Sequence, residues 1–461
     1  MNRFQRLGAV VFGLALGLAV SRSVAAEPPG WKVGAARAKI TPEKPFWMAG
    51  FGARTRPAEG VLQDLWVKAL ALEDAQGHVG VVATADLVGY PKNIYDSICR
   101  ELKRRCGLDR AQLMLTTSHT HSGPVLRDAL QDIYPLDDTQ RALIEEYSVR
   151  LEKLVVDTVA EAASRRTPAT LWAGQGEARF AVNRRTNNER ELPDMLAKGI
   201  APKGPSDFAV PVLAVRTPDG KLHTVVCGYA AHTSAMTMQE YGYHYSGDYA
   251  GFALAELEGA APEIQAMFFQ GCGSDQSAAP RGTLQQCKKM AAELAASVRK
   301  ALDGPMRPVA PQLKMAFEFV KLDFEQATRE YLEKTAESSG YESRWAKRLL
   351  KALDQGRTLA VAYPEYPVQA WRLGENQWWI ALGGEVAVDY ALLLKKQYGP
   401  DTWVAGYTND VMAYIPSRRV WEEGGYQAGA FPVYGLPAVR WCPDIQDRIT
   451  AAVDRLVERL K

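Results

Sequence analysis

The sequence predicts an α/β protein in which mixed sheets are flanked by helices, and two observations lead to this prediction. Apolar residues make up 47% of the chain and charged residues 23%, a composition typical of a globular domain. Apolar segments of strand length alternate with amphipathic segments of helix length from Gly34 onward. Since large α/β proteins often reach this length as one unit, we expect residues 27–461 to form one large domain. The net charge of +2 gives no indication of a nucleic-acid partner.

Residues 1–26 are predicted to be a secretory signal peptide rather than part of the domain. Arg3 and Arg6 precede an apolar run over residues 7–20, and a small-residue cleavage pattern ends at Ala26. An uncleaved anchor is the alternative, but the apolar run is short for a membrane span. We therefore expect a secreted or periplasmic protein.

Short apolar runs bounded by turn residues predict the strands, and amphipathic periodicity predicts the helices. Strands are expected at residues 65–72, 79–85, 111–115, 170–173, 210–215, 223–230, 264–270, 378–382 and 403–405. Helices are expected at residues 93–105, 138–165 (with Asp138 as the cap), 283–302 and 444–461. The charged segment 325–356 predicts a helical hairpin inserted between strands.

The chain contains six cysteines and none of them form a CxxC pair. An oxidising compartment would allow one or two disulfides, with Cys272–Cys287 and Cys99–Cys106 as the nearest pairs. Spacing alone leaves the connectivity open.

Two histidines, His119 and His121, follow the strand that is predicted to end at Leu115. Residues two apart in an extended segment point to the same side of the chain. Their nitrogens could converge on one metal ion, or one could bind a metal and the other a substrate. The alternative is a pair of loop histidines that bond nearby carbonyl groups.

Four later positions also follow predicted strands. His232 ends one strand, and a glycine-rich turn over residues 271–277 follows another. Glu385 and Tyr414 each lie after an apolar strand. Three of the four have a structural alternative: His232 could bond within its loop, residues 271–277 could be a plain tight turn, and Tyr414 could belong to the core. Two histidines and a carboxylate from different strand ends nevertheless match the open site of a catalytic zinc.

These segments, taken in order, resemble the neutral/alkaline non-lysosomal ceramidase family. The resemblance extends from about residue 34 to the end, and its segments are 34–42, 118–124 (Ser-His-Thr-His-Ser-Gly-Pro), 231–233, 244–251, 271–277, 384–385 and 414–415. It implies a zinc amidohydrolase whose metal is held by His119, His232, Glu385 and Tyr414.

The resemblance also implies three catalytic residues. His121 matches the family's second histidine, which faces the substrate, and Arg184 resembles the arginine of an Asn-Arg pair in the pocket. Ser277 matches the serine of the family's Gly-Asp-Val-Ser-Pro-Asn turn, although two alanines follow it here where Pro-Asn is usual. Ile415 and Pro416 replace the family's Thr-Thr after the tyrosine, so we expect a different rim of the site.

The activity implied by the resemblance is cleavage of an N-acyl bond, as in conversion of N-acylsphingosine to sphingosine and fatty acid. We expect the chain to lack the C-terminal immunoglobulin-like domain of full-length ceramidases, since it ends after a predicted helix. The alternative is therefore a zinc deacylase or esterase acting on an acylated sugar or another small polar metabolite. Aromatic residues after Tyr414 could serve either substrate or the core; they are Trp421, Tyr426, Phe431 and Tyr434.

A third hypothesis is an exported binding protein without catalytic activity. It predicts the loss of a ligand residue, and all four are present. Beyond a small-molecule or lipid substrate, the sequence indicates no obligate protein partner, and a lipid substrate would allow transient contact with a membrane surface.

Overall fold

The computed structural model describes residues 30–259 and 263–461, so the predicted signal peptide lies outside the described residues. The strands are β1 (Trp31–Lys39), β2 (Gly60–Val61), β3 (Trp66–Glu73), β4 (Val79–Ala85), β5 (Leu113–Thr117), β6 (Thr167–Glu177), β7 (Ala181–Asn183), β8 (Ala209–Arg216), β9 (Leu222–Tyr229), β10 (His244–Tyr245), β11 (Gln265–Gln270), β12 (Gln276–Ala278), β13 (Arg307–Val309), β14 (Leu313–Gln326), β15 (Ala362–Leu373), β16 (Gln377–Leu382), β17 (Glu385–Val386), β18 (Trp403–Ala405), β19 (Tyr414–Ile415) and β20 (Ala438–Trp441). The helices are α1 (Lys92–Cys106), α2 (Asp138–Ser164), α3 (Leu192–Ala197), α4 (Asp248–Gly259), α5 (Leu284–Asp303), α6 (Arg329–Ala336), α7 (Tyr341–Asp354), α8 (Val388–Tyr398), α9 (Arg418–Glu423), α10 (Tyr426–Gly429), α11 (Phe431–Tyr434) and α12 (Ile445–Leu460).

The larger sheet has the strand order β11-β9-β8-β6-β1-β3-β4-β5, and β13 also pairs with β6. Neighbouring strands are antiparallel except for the parallel pairs β4–β5 and β9–β11. Only residues 31–33 of β1 pair with β6. The two terminal strands of the sheet, β5 and β11, contact each other.

The second sheet has the order β18-β16-β15-β14-β20, and it packs against the larger sheet. The shared core includes Met114 and Phe269 of the larger sheet and three tryptophans of the second, Trp371, Trp379 and Trp403. All five side chains are buried. This mixed arrangement of sheets and helices confirms the predicted fold class.

Helices cover the outer faces of both sheets. Helices α1 and α2 pack on the β3–β4–β5 part of the larger sheet, and α4 and α5 pack on its β8–β9–β11 part. Helices α8 and α12 cover the second sheet. Each of these helices buries an apolar stripe. Helices α1, α2, α5 and α12 were predicted from the sequence, and α4 and α8 were not.

The predicted helical hairpin is confirmed as α6 and α7, which connect the antiparallel neighbours β14 and β15. The pair has a small core of its own, formed by Leu332, Trp345, Ala346 and Leu349. Trp345 Nε1 donates to the carbonyl of Leu436, 2.8 Å away, and so attaches the hairpin to the segment before β20.

Most predicted elements lie within two residues of the observed ones, but β6 extends beyond the predicted 170–173 by three residues at its start and four at its end. The strand predicted at 111–115 begins two residues later, because residues 110–112 form a turn of 3₁₀ helix. The cap of α2 is Asp137 rather than Asp138, and its carboxylate accepts the backbone N–H of Gln140. An extended aspartate immediately before the helix satisfies an amide that has no partner within the helix.

All six cysteines lie in the described residues, and all are free thiols there. Cys99 and Cys106 are both on α1, seven residues apart, which separates them by about 10 Å of helix rise. A disulfide requires much closer Cα atoms. Cys272 and Cys287 belong to different hydrophobic clusters, the first formed by the second sheet with α8 and α12 and the second by β8, β9 and β11 with α4 and α5. Among the described residues we find no helix with the length and apolar character of a membrane span.

Candidate metal centre

The four predicted metal ligands all come shortly after strands. His119 lies two residues after β5, and His232 lies three residues after β9. Glu385 and Tyr414 begin the short strands β17 and β19, which pair in parallel with Glu385 opposite Tyr414. The two histidines therefore follow strands of the larger sheet, whereas Glu385 and Tyr414 lie in a separate two-stranded sheet formed by β17 and β19.

The backbone at His119 is in the left-handed region, with φ of 55°. This conformation is uncommon for residues other than glycine and is typical of functional sites, where surrounding contacts hold it. The ring of Tyr407 packs on the His119 ring with centroids 4.2 Å apart. His119 is also fully enclosed, with 1% of its surface exposed. Its imidazole therefore has a single orientation.

The imidazoles of His119 and His232 are oriented by backbone carbonyls. Nδ1 of His119 lies 2.7 Å from the oxygen of Val88, and Nδ1 of His232 lies 2.8 Å from the oxygen of Gly273. Since a carbonyl only accepts, each Nδ1 donates its N–H, and each neutral ring keeps a lone pair on Nε2. Bonding to a nearby carbonyl, the alternative to metal binding, therefore accounts for Nδ1 of each ring. Nε2 of each ring remains available to bind a metal ion.

The available nitrogens converge with a carboxylate oxygen. Nε2 of His119 lies 3.3 Å from Nε2 of His232 and 3.2 Å from Nε2 of His121. Oε2 of Glu385 lies 3.4 Å from Nε2 of His119 and 3.2 Å from Nε2 of His232. The three histidines also meet the distance requirement for a shared metal ion.

The residues present fit a metal ion. The Nε2 lone pairs of His119 and His232 face each other and Glu385 Oε2, and that oxygen is buried without a hydrogen-bond partner. Electron pairs at this separation repel each other unless a cation lies among them. Imidazole nitrogens with one carboxylate are a donor set that zinc accepts. His119, His232 and Glu385 would supply three of the four donors. The fourth would come from Tyr414 or from His121.

Glu385 is oriented by a residue that we did not predict to act there. The hydroxyl of Tyr434 donates to Oε1 of Glu385 over 2.6 Å. One carboxylate oxygen is thus engaged and the other faces the imidazoles. Hydrogen bonds of this kind fix the orientation of ligand side chains and tune metal affinity.

The titration of these groups suits metal binding. Burial and then the charge of Arg184 lower the pKa of His232 to about 3. Burial and the neighbouring His119 and His232 also hold the pKa of His121 well below its usual range. Burial alone would raise the pKa of Glu385, but His119 and His232 lower it well below normal. Near neutral pH the centre therefore presents neutral imidazoles at His121 and His232 and one carboxylate.

Arg184 and Tyr414 lie beside His232. The Arg184 guanidinium is 3.4 Å from His232 Nε2 and 3.4 Å from the Tyr414 hydroxyl, and it also donates to the carbonyl of Ser274. Burial raises the pKa of Tyr414 well above its ordinary value, so its phenol stays protonated in the protein alone. Both predicted residues therefore belong to the centre.

His121 lies on the other side of His119, and a buried arginine supports its backbone. Arg54 donates to the carbonyl of His121 over 2.7 Å and to that of Ala49 over 2.5 Å. The ring of Phe51 contacts the His121 ring edge-on, with centroids 5.0 Å apart. Nδ1 of His121 is buried and has no hydrogen-bond partner. Of the three imidazoles, His121 therefore has the fewest polar constraints.

Ser277 pairs with His232 through the backbone, and its side chain is not among the groups that converge. The two residues form an isolated parallel bridge, and His232 N–H donates to the carbonyl of Gln276 over 2.9 Å. The Ser277 hydroxyl is buried without a partner. The same turn is held by Asp275, whose carboxylate accepts from Arg419 and from the backbone of Val388. The role predicted for Ser277 stays a prediction.

A cavity of about 270 Å³ opens onto the centre. Its wall includes His119, His121, Glu385 and Tyr414, together with aliphatic side chains and further tyrosines. The remaining lining residues are Gly50, Gly52, Ala53, Val88, Leu130, Ile133, Tyr134, Tyr341, Tyr426, Val433 and Tyr434. Two of the aromatics noted in the sequence, Tyr426 and Tyr434, are therefore in the site, whereas Phe431 is part of the second sheet's core.

Sequence reasoning missed Tyr407, Arg54 and Tyr341. Tyr407 follows β18 just as His119 follows β5, so the strand-exit rule applied to every strand would have found it. Arg54 and Tyr341 carry no such local signal, because they reach the centre only through long-range packing.

Fold and site together define an α/β protein with a candidate centre of imidazole and carboxylate donors. A sequence profile described as neutral/alkaline non-lysosomal ceramidase, N-terminal, matches residues 31–295. This match covers more than half of the sequence, and the chain belongs to that family. Glu385 and Tyr414 lie beyond the matched range.

Two solved structures have a similar fold. A neutral ceramidase from Pseudomonas aeruginosa superposes with a TM-score of 0.67 at 18% identity, covering 93% of this chain and 75% of that chain. A ceramidase complexed with C2 gives the same score and identity, covering 93% of this chain and 76% of its own. At this identity the likeness shows the fold. No curated protein sequence matches the chain significantly.

Proposed function

We propose that the chain is a zinc-dependent amidohydrolase that cleaves the N-acyl bond of an N-acylsphingosine or a related amide. The observation that carries the proposal is the convergence of His119, His232 and Glu385, from three strand ends, on one point at the wall of a cavity. Membership in the ceramidase family and the likeness to ceramidase structures support the choice of reaction.

His119, His232 and Glu385 would hold the zinc ion, with Tyr414 as the fourth predicted ligand. When bound, zinc supplies Lewis acidity, which makes water nucleophilic near neutral pH and polarises a carbonyl group. The three donors come from a rigid, buried setting, so binding requires little rearrangement of the protein.

The remaining groups suit the other needs of amide hydrolysis. We assign proton transfer to His121: its neutral imidazole accepts the proton of the attacking water at Nε2 and returns it to the leaving amine nitrogen. For Arg184 we propose a stabilising role for the oxygen that gains charge as the carbonyl carbon becomes tetrahedral, supported by its positive charge beside the Tyr414 hydroxyl, 3.4 Å away. For Ser277 we propose a role in turnover through its place beside His232.

We further propose that the protein is exported by cleavage after Ala26 and that residues 27–461 act as one domain. The support is the charged, apolar and small-residue pattern of residues 1–26.

The test is release of sphingosine from N-hexanoylsphingosine by zinc-loaded protein that starts at Glu27, compared with His119→Ala and with His78→Ala as control. His78 has a side chain that is 62% exposed and lies outside the centre. We expect His119→Ala to lose both zinc and activity while its circular dichroism spectrum is unchanged, and His78→Ala to retain both. A His119→Ala protein that binds zinc and cleaves the substrate would contradict the proposal.

One observation favours the second candidate, a deacylase for an acylated sugar or another small polar metabolite. Five tyrosines line the cavity, and rings with hydroxyl groups stack on sugars and bond to them. Acetate release from acetylated sugars, with no sphingosine release from any N-acylsphingosine, would select this candidate.

A further inference from the structure

We propose that the cavity accepts a short acyl group and that Tyr341, on the α6–α7 hairpin, limits the length of that group. The inference rests on the proposed function and adds the substrate class that the site selects. It starts from the size of the cavity, about 270 Å³. This volume lies just below the range of about 300–1,000 Å³ in which pockets bury most of a drug-sized ligand. We therefore expect a hexanoyl group to fit this space and a hexadecanoyl group to exceed it.

The hairpin contributes Tyr341 to the cavity wall, and it is attached to two other segments of that wall. Arg344 donates to the carbonyls of Asp132 and Ile133 over 2.8 and 2.7 Å. Arg348 forms a two-pronged ion pair with the Asp132 carboxylate, at 2.7 Å for the shorter contact, and it donates to the carbonyl of Gly435. The segments around Ile133 and Gly435 both line the cavity, so the hairpin holds its wall together.

Tyr341 is the residue through which the hairpin enters the wall. It is the first residue of α7, it is partly buried, and it packs against the same hydrophobic cluster as Val433 and Tyr434. The attachment of α7 by Arg344 and Arg348 holds the Tyr341 ring in place. Removal of this ring would enlarge the cavity without removing a polar contact of the metal centre.

The exposed surface around the cavity carries few large hydrophobic side chains that could bind a long chain. Among the large hydrophobic side chains that are exposed in residues 30–259 and 263–461, only Tyr426 belongs to the cavity lining. The wall itself carries Val88, Leu130, Ile133 and Val433, which suit an alkyl chain without hydrogen-bonding groups. We therefore assign the enclosed space to the acyl group and leave the amine part of the substrate outside.

The experiment compares kcat/KM for N-acetyl-, N-hexanoyl- and N-hexadecanoylsphingosine in one detergent, using zinc-loaded wild type, Tyr341→Ala and Tyr331→Ala. Tyr331 is an exposed tyrosine of α6 outside the cavity and is the matched control. For wild type and control we expect hexanoyl to be preferred over hexadecanoyl by about 10-fold or more, and Tyr341→Ala to reduce this preference by about 10-fold. Because each ratio is taken within one preparation, a partly unfolded variant does not change it.

Equal rates for the hexanoyl and hexadecanoyl substrates in the wild type would overturn the inference and leave the proposed function standing. An unchanged ratio in Tyr341→Ala would likewise remove Tyr341 from its assigned role. A second series would keep the acetyl group constant and vary the chain length of the amine. If the rate depended on the length of the amine and not on that of the acyl group, the assignment of the cavity to the acyl group would be wrong. Cleavage of none of the substrates by the zinc-loaded wild type would overturn the proposed function and this inference with it.

Discussion

Glu385 is the residue at which most interactions of the centre meet. Its Oε1 accepts from Tyr434 over 2.6 Å, and its Oε2 faces the imidazoles of His119 and His232 without a hydrogen-bond partner. A carboxylate this deeply buried is unstable without compensating charge. The two oxygens thus have different roles, one in orientation and one in binding.

Removal of the Tyr434 hydroxyl should weaken metal binding. We expect Tyr434→Phe to lower zinc affinity by about 10- to 100-fold, because Glu385 loses the donor that orients it. Competition with a chromogenic chelator measures this affinity directly, without reliance on activity. Tyr341→Phe is the control, since Tyr341 lines the same cavity without bonding Glu385. Equal affinity in Tyr434→Phe and wild type would show that the hydrogen bond has no part in metal binding.

Ser277 allows a separation of metal binding from turnover. Its hydroxyl is buried and unpartnered beside His232, and it is not among the converging donors. We expect Ser277→Ala to reduce kcat by more than it reduces zinc content, measured on the same preparation by mass spectrometry of the metal. A parallel loss of zinc and kcat would make the serine structural.

At the scale of elements, the attachment of the α6–α7 hairpin includes an ion pair between Arg348 and the buried carboxylate of Asp132. Asp132 is 6% exposed and receives both prongs of Arg348, whose side chain is 36% exposed. The partly exposed arginine is screened by water, so the contribution is smaller than for a fully buried pair.

Arg348→Ala should therefore lower the free energy of unfolding by about 1–3 kcal/mol, because it leaves the Asp132 carboxylate buried without its partner. Urea denaturation measures the change. Lys351→Ala, an exposed change on the same helix, should stay within about 0.5 kcal/mol of wild type. If both variants were equally stable, the ion pair would contribute nothing to docking of the hairpin.

At the scale of the whole molecule, one buried carboxyl should affect the pH dependence of stability. Burial raises the pKa of Asp410 to about 7, and Tyr363 donates a hydrogen bond to it. In the unfolded chain an aspartate titrates near ~3.9. Between these values the unfolded chain releases a proton that the folded protein keeps. The contribution of Asp410 to stability is therefore present below about pH 4 and is lost as pH rises to about 7.

Asp410→Asn should remove this component. We expect the stability of wild type relative to Asp410→Asn to fall between pH 4 and pH 7 by up to about 4 kcal/mol, and to stay constant above pH 7. Urea denaturation at several pH values provides the comparison, and the other carboxyl groups cancel because both proteins contain them. A constant difference across this range would mean that Asp410 is ionised in the folded protein.

The sequence by itself determined the elements and the residue types of the site. Strand alternation and helical periodicity are local properties, so β4, β18 and the hairpin could be predicted from short windows. The histidine pair at 119 and 121 was recognisable because a polar motif directly follows an apolar strand. The order of such motifs was enough to predict family membership, which the matching profile confirmed.

Only the tertiary structure decided how these pieces meet. The packing of the second sheet against the larger sheet joins His119 to Glu385 across more than 250 positions of the sequence. Local propensity carries no information about such contacts, because they depend on which hydrophobic faces bury each other. For the same reason Tyr407, Arg54 and Tyr341 entered the site unpredicted, and the size of the cavity followed from the docking of a hairpin rather than from any motif.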